Sequence, residues 1–198
     1  VMRLLFAFLL ISSFAVAQQN NQKIAYQYYI NGEYEKAIVL YEDLMDERFS
    51  VAYFSPYFQS LISLEDYKSA ELLARKVARK YPNSLNYQLQ VGVAQLKAGD
   101  TKKSEKTFKK VTSKVDGNRS QAINLANTFN RYSLFEKALN IYLLAEKLNP
   151  KNNFGNQKGQ LYGQLEKSDL MISEYLNELS LDPRKKQQVL NKIQKFID

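Results

Sequence analysis

The sequence predicts an all-α protein, a right-handed α-solenoid of about five helix–turn–helix repeats followed by a C-terminal capping helix. Three observations predict this. Helix-leading segments recur as Tyr34 to Ala37, Tyr67 to Ala70, Thr101 to Ser104 and Phe135 to Ala138, with first residues 33, 34 and 34 apart (67−34, 101−67, 135−101). Such a fixed spacing marks supersecondary units that bury their apolar faces only against their neighbours. Lys, Glu, Leu, Ala and Gln dominate, whereas 7 Gly and 4 Pro in 198 residues are too few to punctuate an all-β fold. Finally, 45% hydrophobic residues supply enough apolar surface for a buried core.

The chain opens with Met2 and Arg3, the apolar run from Leu4 to Ile11, then Ala15, Val16 and Ala17. A positive start, an apolar core too short to span a bilayer and small residues three and one before a cut are the parts of a secretory signal peptide. Cleavage is expected after Ala17. It removes Arg3 and leaves a net charge of +7 (8−1) on the mature chain. No Cys follows, so lipid attachment at a cysteine is closed. The expectation is an exported bacterial protein of the periplasm, which is not an integral membrane protein and has no nucleic acid as partner.

Five repeats follow, at about 18–50, 51–84, 85–118, 119–151 and 152–183. Small residues at Ala25, Gly92, Ala126 and Gly159 let the first helix of a repeat approach the second. Ala37, Ala70, Ser104 and Ala138 do so from the other side, and Tyr28, Tyr41, Phe108, Phe129 and Tyr142 fill the space between pairs. The fifth repeat carries Gly155, Gly159 and Gly163 on one helix face, and each mid-helix Gly costs about 1 kcal/mol relative to Ala. These glycines read as drift near the end of an array in preference to a hinge or a surface of close approach. Residues 184–198 place Val189, Ile193, Phe196 and Ile197 opposite Lys185, Lys186, Asn191, Lys192 and Lys195. They read as a capping helix, or as the first helix of a further repeat in a longer protein.

Val91 and Gly92 with Gly99 and Asp100, Leu125 and Ala126 with Phe129, Ile24 and Ala25 with Tyr28, Asn31 and Gly32, and the closing Pro82, Pro150 and Pro183 together resemble the tetratricopeptide repeat family. The resemblance covers about 18–183, is stronger in the second helix of each unit, and lacks the family's tryptophan throughout. It implies a concave groove, lined by the first helix of each repeat, that takes an extended peptide or a partner helix. Placed by repeat position, the lining residues are Tyr26, Tyr29, Gln59, Leu89, Val93, Ile123, Asn127, Asn130 and Arg131, continued by Asn156 and Gln160. The family's clamp for a terminal carboxylate is not carried over, because only Asn127 and Arg131 suit it.

With no Cys and no His, thiol nucleophiles, imidazole bases and most transition-metal sites are absent from the chemistry available. No catalytic residue, metal site or cofactor is expected, and the chain is read as not an enzyme. Glu42, Asp43, Asp46 and Glu47 share a helix, but a hard cation also needs a shaped loop, so they read as a solvated face. A basic cluster of Arg75, Lys76, Arg79, Lys102, Lys103, Lys106, Lys109 and Lys110 is placed by repeat position on the convex side. The leading expectation is a non-catalytic periplasmic scaffold for a protein or peptide of an envelope complex. The alternatives are a polyanion-binding protein whose basic face meets anionic lipid or glycan, and the front part of a larger protein.

Overall fold

The computed structural model describes residues 21–47 and 49–194, with the backbone alone at Glu47. The expected signal segment lies outside the described residues. Helix α1 covers residues 21–30. It is followed by α2 (Tyr34–Glu47), α3 (Phe54–Ser63), α4 (Tyr67–Lys80), α5 (Leu85–Lys97) and α6 (Thr101–Thr112). Then come α7 (Arg119–Arg131), α8 (Phe135–Leu148), α9 (Gly155–Gln164), α10 (Ser168–Leu181) and α11 (Lys186–Gln194). Short 3₁₀ turns at Val51–Tyr53 and Pro183–Lys185 lead into α3 and α11. Among the described residues there is no strand. The four segments that set the repeat spacing are the first turns of α2, α4, α6 and α8. The small residues expected between helices, Ala25, Ala37, Ala70, Ser104, Ala126 and Ala138, are all buried.

One local device turns the chain between the two helices of every hairpin. Gly32, Glu65, Gly99, Ser133 and Glu166 have φ of 78°, 60°, 81°, 58° and 57°. At each, the next residue donates its N–H five residues back: Glu33 to Tyr28 O at 2.9 Å, Asp66 to Leu61 O at 2.9 Å, Asp100 to Gln95 O at 2.9 Å, Leu134 to Phe129 O at 3.0 Å, and Lys167 to Tyr162 O at 2.9 Å. This pattern satisfies carbonyls that the helix end leaves open. Glycine meets the left-handed conformation without strain at two of the five turns, while Glu65, Ser133 and Glu166 carry its cost. The succeeding helix is capped from the same turn where an Asp is present. Asp66 Oδ1 accepts from Ser69 N–H at 3.1 Å, and Asp100 Oδ1 from Lys103 N–H at 3.1 Å.

The chain divides into two compact units, the first ending at Thr107 and the second starting at Phe108. In the first, α2 packs on α3, α3 on α4 and α4 on α5. Its core holds Tyr41, Leu44, Phe58, Ala74, Val77 and Leu89. A polar chain crosses it: Thr107 Oγ1 donates to Gln95 Oε1, Gln95 Nε2 donates to Glu71 Oε1, both at 2.8 Å, and Arg75 Nη2 reaches the same carboxylate at 2.6 Å. Gln95 is buried, and this chain meets its polar atoms, which otherwise would be costly to enclose.

In the second unit, α7 packs on α8, α8 on α9, α9 on α10 and α10 on α11. Phe108 meets Phe129 edge to face at 5.2 Å, and Tyr142 lies 4.7 Å from Phe154 between ring centroids. Lys158 is the unit's buried charge. Its Nζ sits 2.8 Å from Glu146 Oε2 and 2.9 Å from Glu174 Oε1, and so joins α8, α9 and α10. Glu146 Oε1 also accepts the N–H of Phe154 at 2.8 Å. Burial alone disfavours the Lys158 ammonium, but hydrogen bonds to Glu146 and Glu174 outweigh it and hold its pKa above the usual lysine value.

Two glycines in this unit answer to space. Gly117, at φ +79°, faces Leu148 Cβ at 3.0 Å from where its own Cβ would stand. A Cβ on Gly159 would lie 2.5 Å from Tyr175 Cε1. Gly159 is therefore a surface of close approach, and drift does not account for it. Helix α11 buries Val189 against Met171 and Tyr175 of α10, with Ile193 packed beside them, as its apolar stripe predicts.

Candidate functional site

The second unit holds a cleft of about 620 Å³. Its lining comes from Ala126, Asn127 and Asn130 on α7, Ser133 in the turn, Phe135 and Tyr142 on α8, Gln157, Gln160, Leu161 and Gln164 on α9, Tyr175 on α10 and Lys192 on α11. The periodicity explains why these side chains converge. Asn127 and Asn130 stand one turn apart on α7. Gln157, Gln160 and Gln164 fall at i, i+3 and i+7 on α9, a row about 10 Å long on one face. Ala126, Tyr142, Leu161 and Tyr175 are buried and make an apolar floor, while Asn127, Asn130, Gln160 and Gln164 are exposed.

Each carboxamide offers two N–H donors and a carbonyl acceptor. A rim of five can therefore meet both the N–H and the C=O groups of an extended backbone without reading its side chains. Burial raises the pKa of the Tyr142 phenol, with Arg119 acting weakly in the opposite sense, and burial followed by the charge of Glu178 raises that of Tyr175. Both stay neutral donors at physiological pH. Lys192 Nζ donates to Asn156 Oδ1 and stands 5.6 Å from the Tyr175 ring centroid.

Of the groove residues named from the sequence, Asn127 and Asn130 line this cleft, and Gln160 joins them from α9. Ile123 is half-buried and Arg131 exposed, and neither lines it. In the first unit, Tyr26 is 51% exposed and lies 6.0 Å from Tyr29, which is itself 6.3 Å from Tyr34. These three make a short aromatic row. Gln59 is half-buried on α3 and has partners within the protein.

Leu89 and Val93 correct the expectation. At 0% and 1% exposure they belong to the core and offer no surface to a partner. Every residue of α5 from Leu89 to Gln95 is buried, so this helix is enclosed on all sides. A groove stripe counted along it by repeat position does not reach solvent.

Gln157, Gln164, Tyr175 and Lys192 were not expected in the site. Gln157 and Gln164 follow Gln160 by helical spacing, a signal present in the sequence. Tyr175 and Lys192 reach the cleft only because α10 folds back onto α9 and α11 onto α10, from where Lys192 extends to Asn156.

All eight basic residues of the cluster are exposed, with Lys109 and Lys110 in the second unit. Three carry carboxylates already: Arg75 pairs with Glu71 at 2.6 Å, Lys76 with Asp46 at 3.3 Å and Lys103 with Asp100 at 2.5 Å. Arg79 Nε donates to the carbonyl of Arg75 at 3.3 Å, while Lys102, Lys106, Lys109 and Lys110 extend from α6. Asp46, one of the acidic residues on α2, is thus spent on an ion pair. Among the described residues no group of three or more His, Cys, Asp or Glu side chains gathers as metal ligands would. No helix among them is long and apolar enough to cross a membrane.

No protein-family model and no curated protein sequence matches the chain. Solved structures do. TTC0263, described as a thermophilic TPR protein in Thermus thermophilus, is 14% identical, with 91% of this chain and 98% of that one covered at a TM-score of 0.51. MamA of Desulfovibrio magneticus RS-1 is 15% identical over 90% of this chain and 94% of its own, at a TM-score of 0.45. YrrB, described as a TPR protein with an unusual peptide-binding site, is 14% identical over 91% and 97%, at 0.41. With the hairpin period, the repeated left-handed turns and the likeness to TTC0263 in hand, the fold of this chain is that of the tetratricopeptide repeat proteins, an all-α solenoid.

Proposed function

We propose that this protein is an exported, non-catalytic interaction scaffold that holds an extended peptide segment of a protein partner in the cleft of its second unit. One observation carries the reading: five carboxamides, from Asn127, Asn130, Gln157, Gln160 and Gln164, rim a cleft of about 620 Å³ over an apolar floor. Carboxamides bind main chain well and perform no bond-breaking chemistry by themselves. The volume lies within the range that encloses a small ligand or a few residues of a chain. Export rests on the charged start, apolar run and small residues through Ala17.

Selection of short random peptides on the full chain tests the binding. Peptides are expected to be retained, and joint replacement Asn127→Ala, Asn130→Ala and Gln160→Ala is expected to weaken them by about tenfold or more, because several main-chain hydrogen bonds are lost. Unchanged affinity in that variant excludes the cleft. Amino-terminal sequencing of the protein from an envelope fraction tests export: the first residue is expected to be Gln18, and an intact Met2 rules cleavage out.

A further inference from the structure

The positive charge of the chain is gathered in the second unit, where 15 basic residues stand against 9 acidic ones from Phe108 to Asp198, giving +6 (15−9) of the total +8. This unit holds a second cavity of about 520 Å³, which adjoins the amide-rimmed cleft through Gln157 and Lys192. Four cations line it, each from a different stretch of chain: Arg119 opens α7, Lys151 lies between α8 and α9, Lys185 closes the 3₁₀ turn before α11, and Lys192 belongs to α11. Two carboxylates also line it, and each is already paired: Glu178 Oε1 with Lys185 Nζ at 2.7 Å, and Asp182 Oδ1 with Arg184 Nε at 2.8 Å. Arg119, Lys151 and Lys192 therefore meet at one cavity with no carboxylate within ion-pair distance among the described residues, Lys192 spending one donor on the neutral Asn156 Oδ1. Like charges gathered in one place disfavour each other unless an anion joins them. Arg119 is also held in place: its Nη1 donates to Asn153 O at 2.9 Å and its Cζ lies 4.8 Å from the centroid of the buried Phe154 ring, which leaves its other N–H groups to a ligand.

We infer that this second cavity binds a small molecule or headgroup through a phosphate monoester, held by Arg119, Lys151 and Lys192. The site is independent of peptide binding in the cleft. The formal charge of the lining is +2 (4−2), and a phosphate monoester carries about −1.5 to −2, so the two cancel. A carboxylate or a phosphodiester, with a single negative charge, leaves part of the cationic excess unmet. The planar fork of Arg119 engages two phosphate oxygens at once, while the two ammonium groups act as point charges on the rest. Asn153 and Gln188 add neutral carboxamide donors to the same lining. Leu181, 70% exposed, stands beside them and offers an apolar edge to whatever carries the phosphate. The cavity is of a size that encloses a small ligand. A soluble sugar or glycerol phosphate and a lipid headgroup both present this chemistry.

The test titrates the full chain with glycerol phosphate, with glycerol as the neutral control, and with phosphatidylcholine vesicles that contain or lack phosphatidic acid, whose headgroup is a phosphate monoester. The wild type is expected to bind glycerol phosphate, phosphatidic acid vesicles or both, and neither glycerol nor phosphatidylcholine alone. Joint replacement Arg119→Gln and Lys151→Gln is expected to weaken that binding by about tenfold or more, because two charge-assisted contacts are lost. Joint replacement Lys109→Gln and Lys110→Gln removes the same charge from exposed residues of the same unit outside the cavity, and is expected to change it by about twofold or less. Lys151→Gln alone, at an exposed side chain with no ion pair among the described residues, is expected to weaken binding by about threefold at an unchanged thermal midpoint, which separates loss of the site from loss of the fold. Binding of glycerol phosphate assigns the site to a soluble phosphate ester; binding of phosphatidic acid vesicles alone assigns it to a lipid headgroup. Equal losses in the two double variants would mean attraction by diffuse charge and overturn the site, as does failure of the wild type to bind either probe.

Discussion

At Gly159 the backbone of α9 runs so near the Tyr175 ring that a methyl group has no room: an added Cβ would stand 2.5 Å from Cε1 and 2.9 Å from Cδ1 and Cζ. The ring is fully buried and rigid, so it gives way only by moving α10. Gly159→Ala is therefore expected to lower stability by about 1–3 kcal/mol in urea unfolding, despite a helix-propensity gain near 1 kcal/mol. Glu166 is the opposite case. Its φ of 57° at the turn before α10 is one that glycine adopts freely, and its amide already serves the helix end by donating to Gly163 O at 3.1 Å. Glu166→Gly is expected to raise stability by up to about 1 kcal/mol in the same measurement. A destabilised Glu166→Gly variant would show that the carboxylate does more than tolerate the turn. The close approach at Gly159 was legible from its place among the small residues Ala25, Gly92 and Ala126, although the run of three glycines read as drift; Glu166 has no turn signature of its own.

At the scale of elements, α8, α9 and α10 are joined by Lys158, whose side chain is only 10% exposed between Glu146 and Glu174. Removing the ammonium leaves two carboxylates facing each other in a half-buried space. Lys158→Met is expected to cost about 3–5 kcal/mol, read as a fall in the thermal midpoint. A loss of less than about 1 kcal/mol would mean that the two glutamates find solvent without moving α9. The second helices of the first four repeats were plain from the sequence, because Tyr34, Tyr67, Thr101 and Phe135 begin α2, α4, α6 and α8. Which faces reach solvent was less plain. The positions of Leu89 and Val93 matched those of groove residues in other repeats, yet α5 is enclosed all round and both are in the core. Repeat position fixes direction from a helix axis; it does not fix what lies in that direction.

At the scale of the whole molecule, the buried tyrosines set the pH at which the fold gives way. Burial, assisted by Glu42, Asp46 and Asp66, pushes the Tyr57 phenol from 10.0 up to about 12, while burial also raises Tyr41, Tyr142 and Tyr175. A folded pKa above the unfolded one means that the stabilisation is complete below pH 10 and is lost as pH rises toward 12, since the unfolded chain releases its protons first. Lys158, also raised above 10.5, loses its contribution in the same direction. The sequence has no His to titrate near neutrality. Urea midpoints are therefore expected to be level between about pH 6 and 8 and to fall steeply above about pH 10, with Tyr57→Phe lessening the fall. A midpoint that drops at pH 8 would point to a group other than these phenols.

The sequence by itself determined the repeat: the 33- and 34-residue spacing, the small residues between helices, the start of the second helix in the first four repeats and the two amides of α7 that line the cleft. These are local matters of periodicity and size, and a short stretch of chain contains all that decides them. Tertiary structure alone decided which of those faces stay open, that Tyr175 is the side chain seated on Gly159, and that Lys192 of α11 reaches Asn156 of α9 at a cleft it shares with the amides of α7. The reason is physical. Burial and electrostatic pairing depend on what stands across a gap of a few ångströms, and in a stacked array of helices that neighbour comes from another helix.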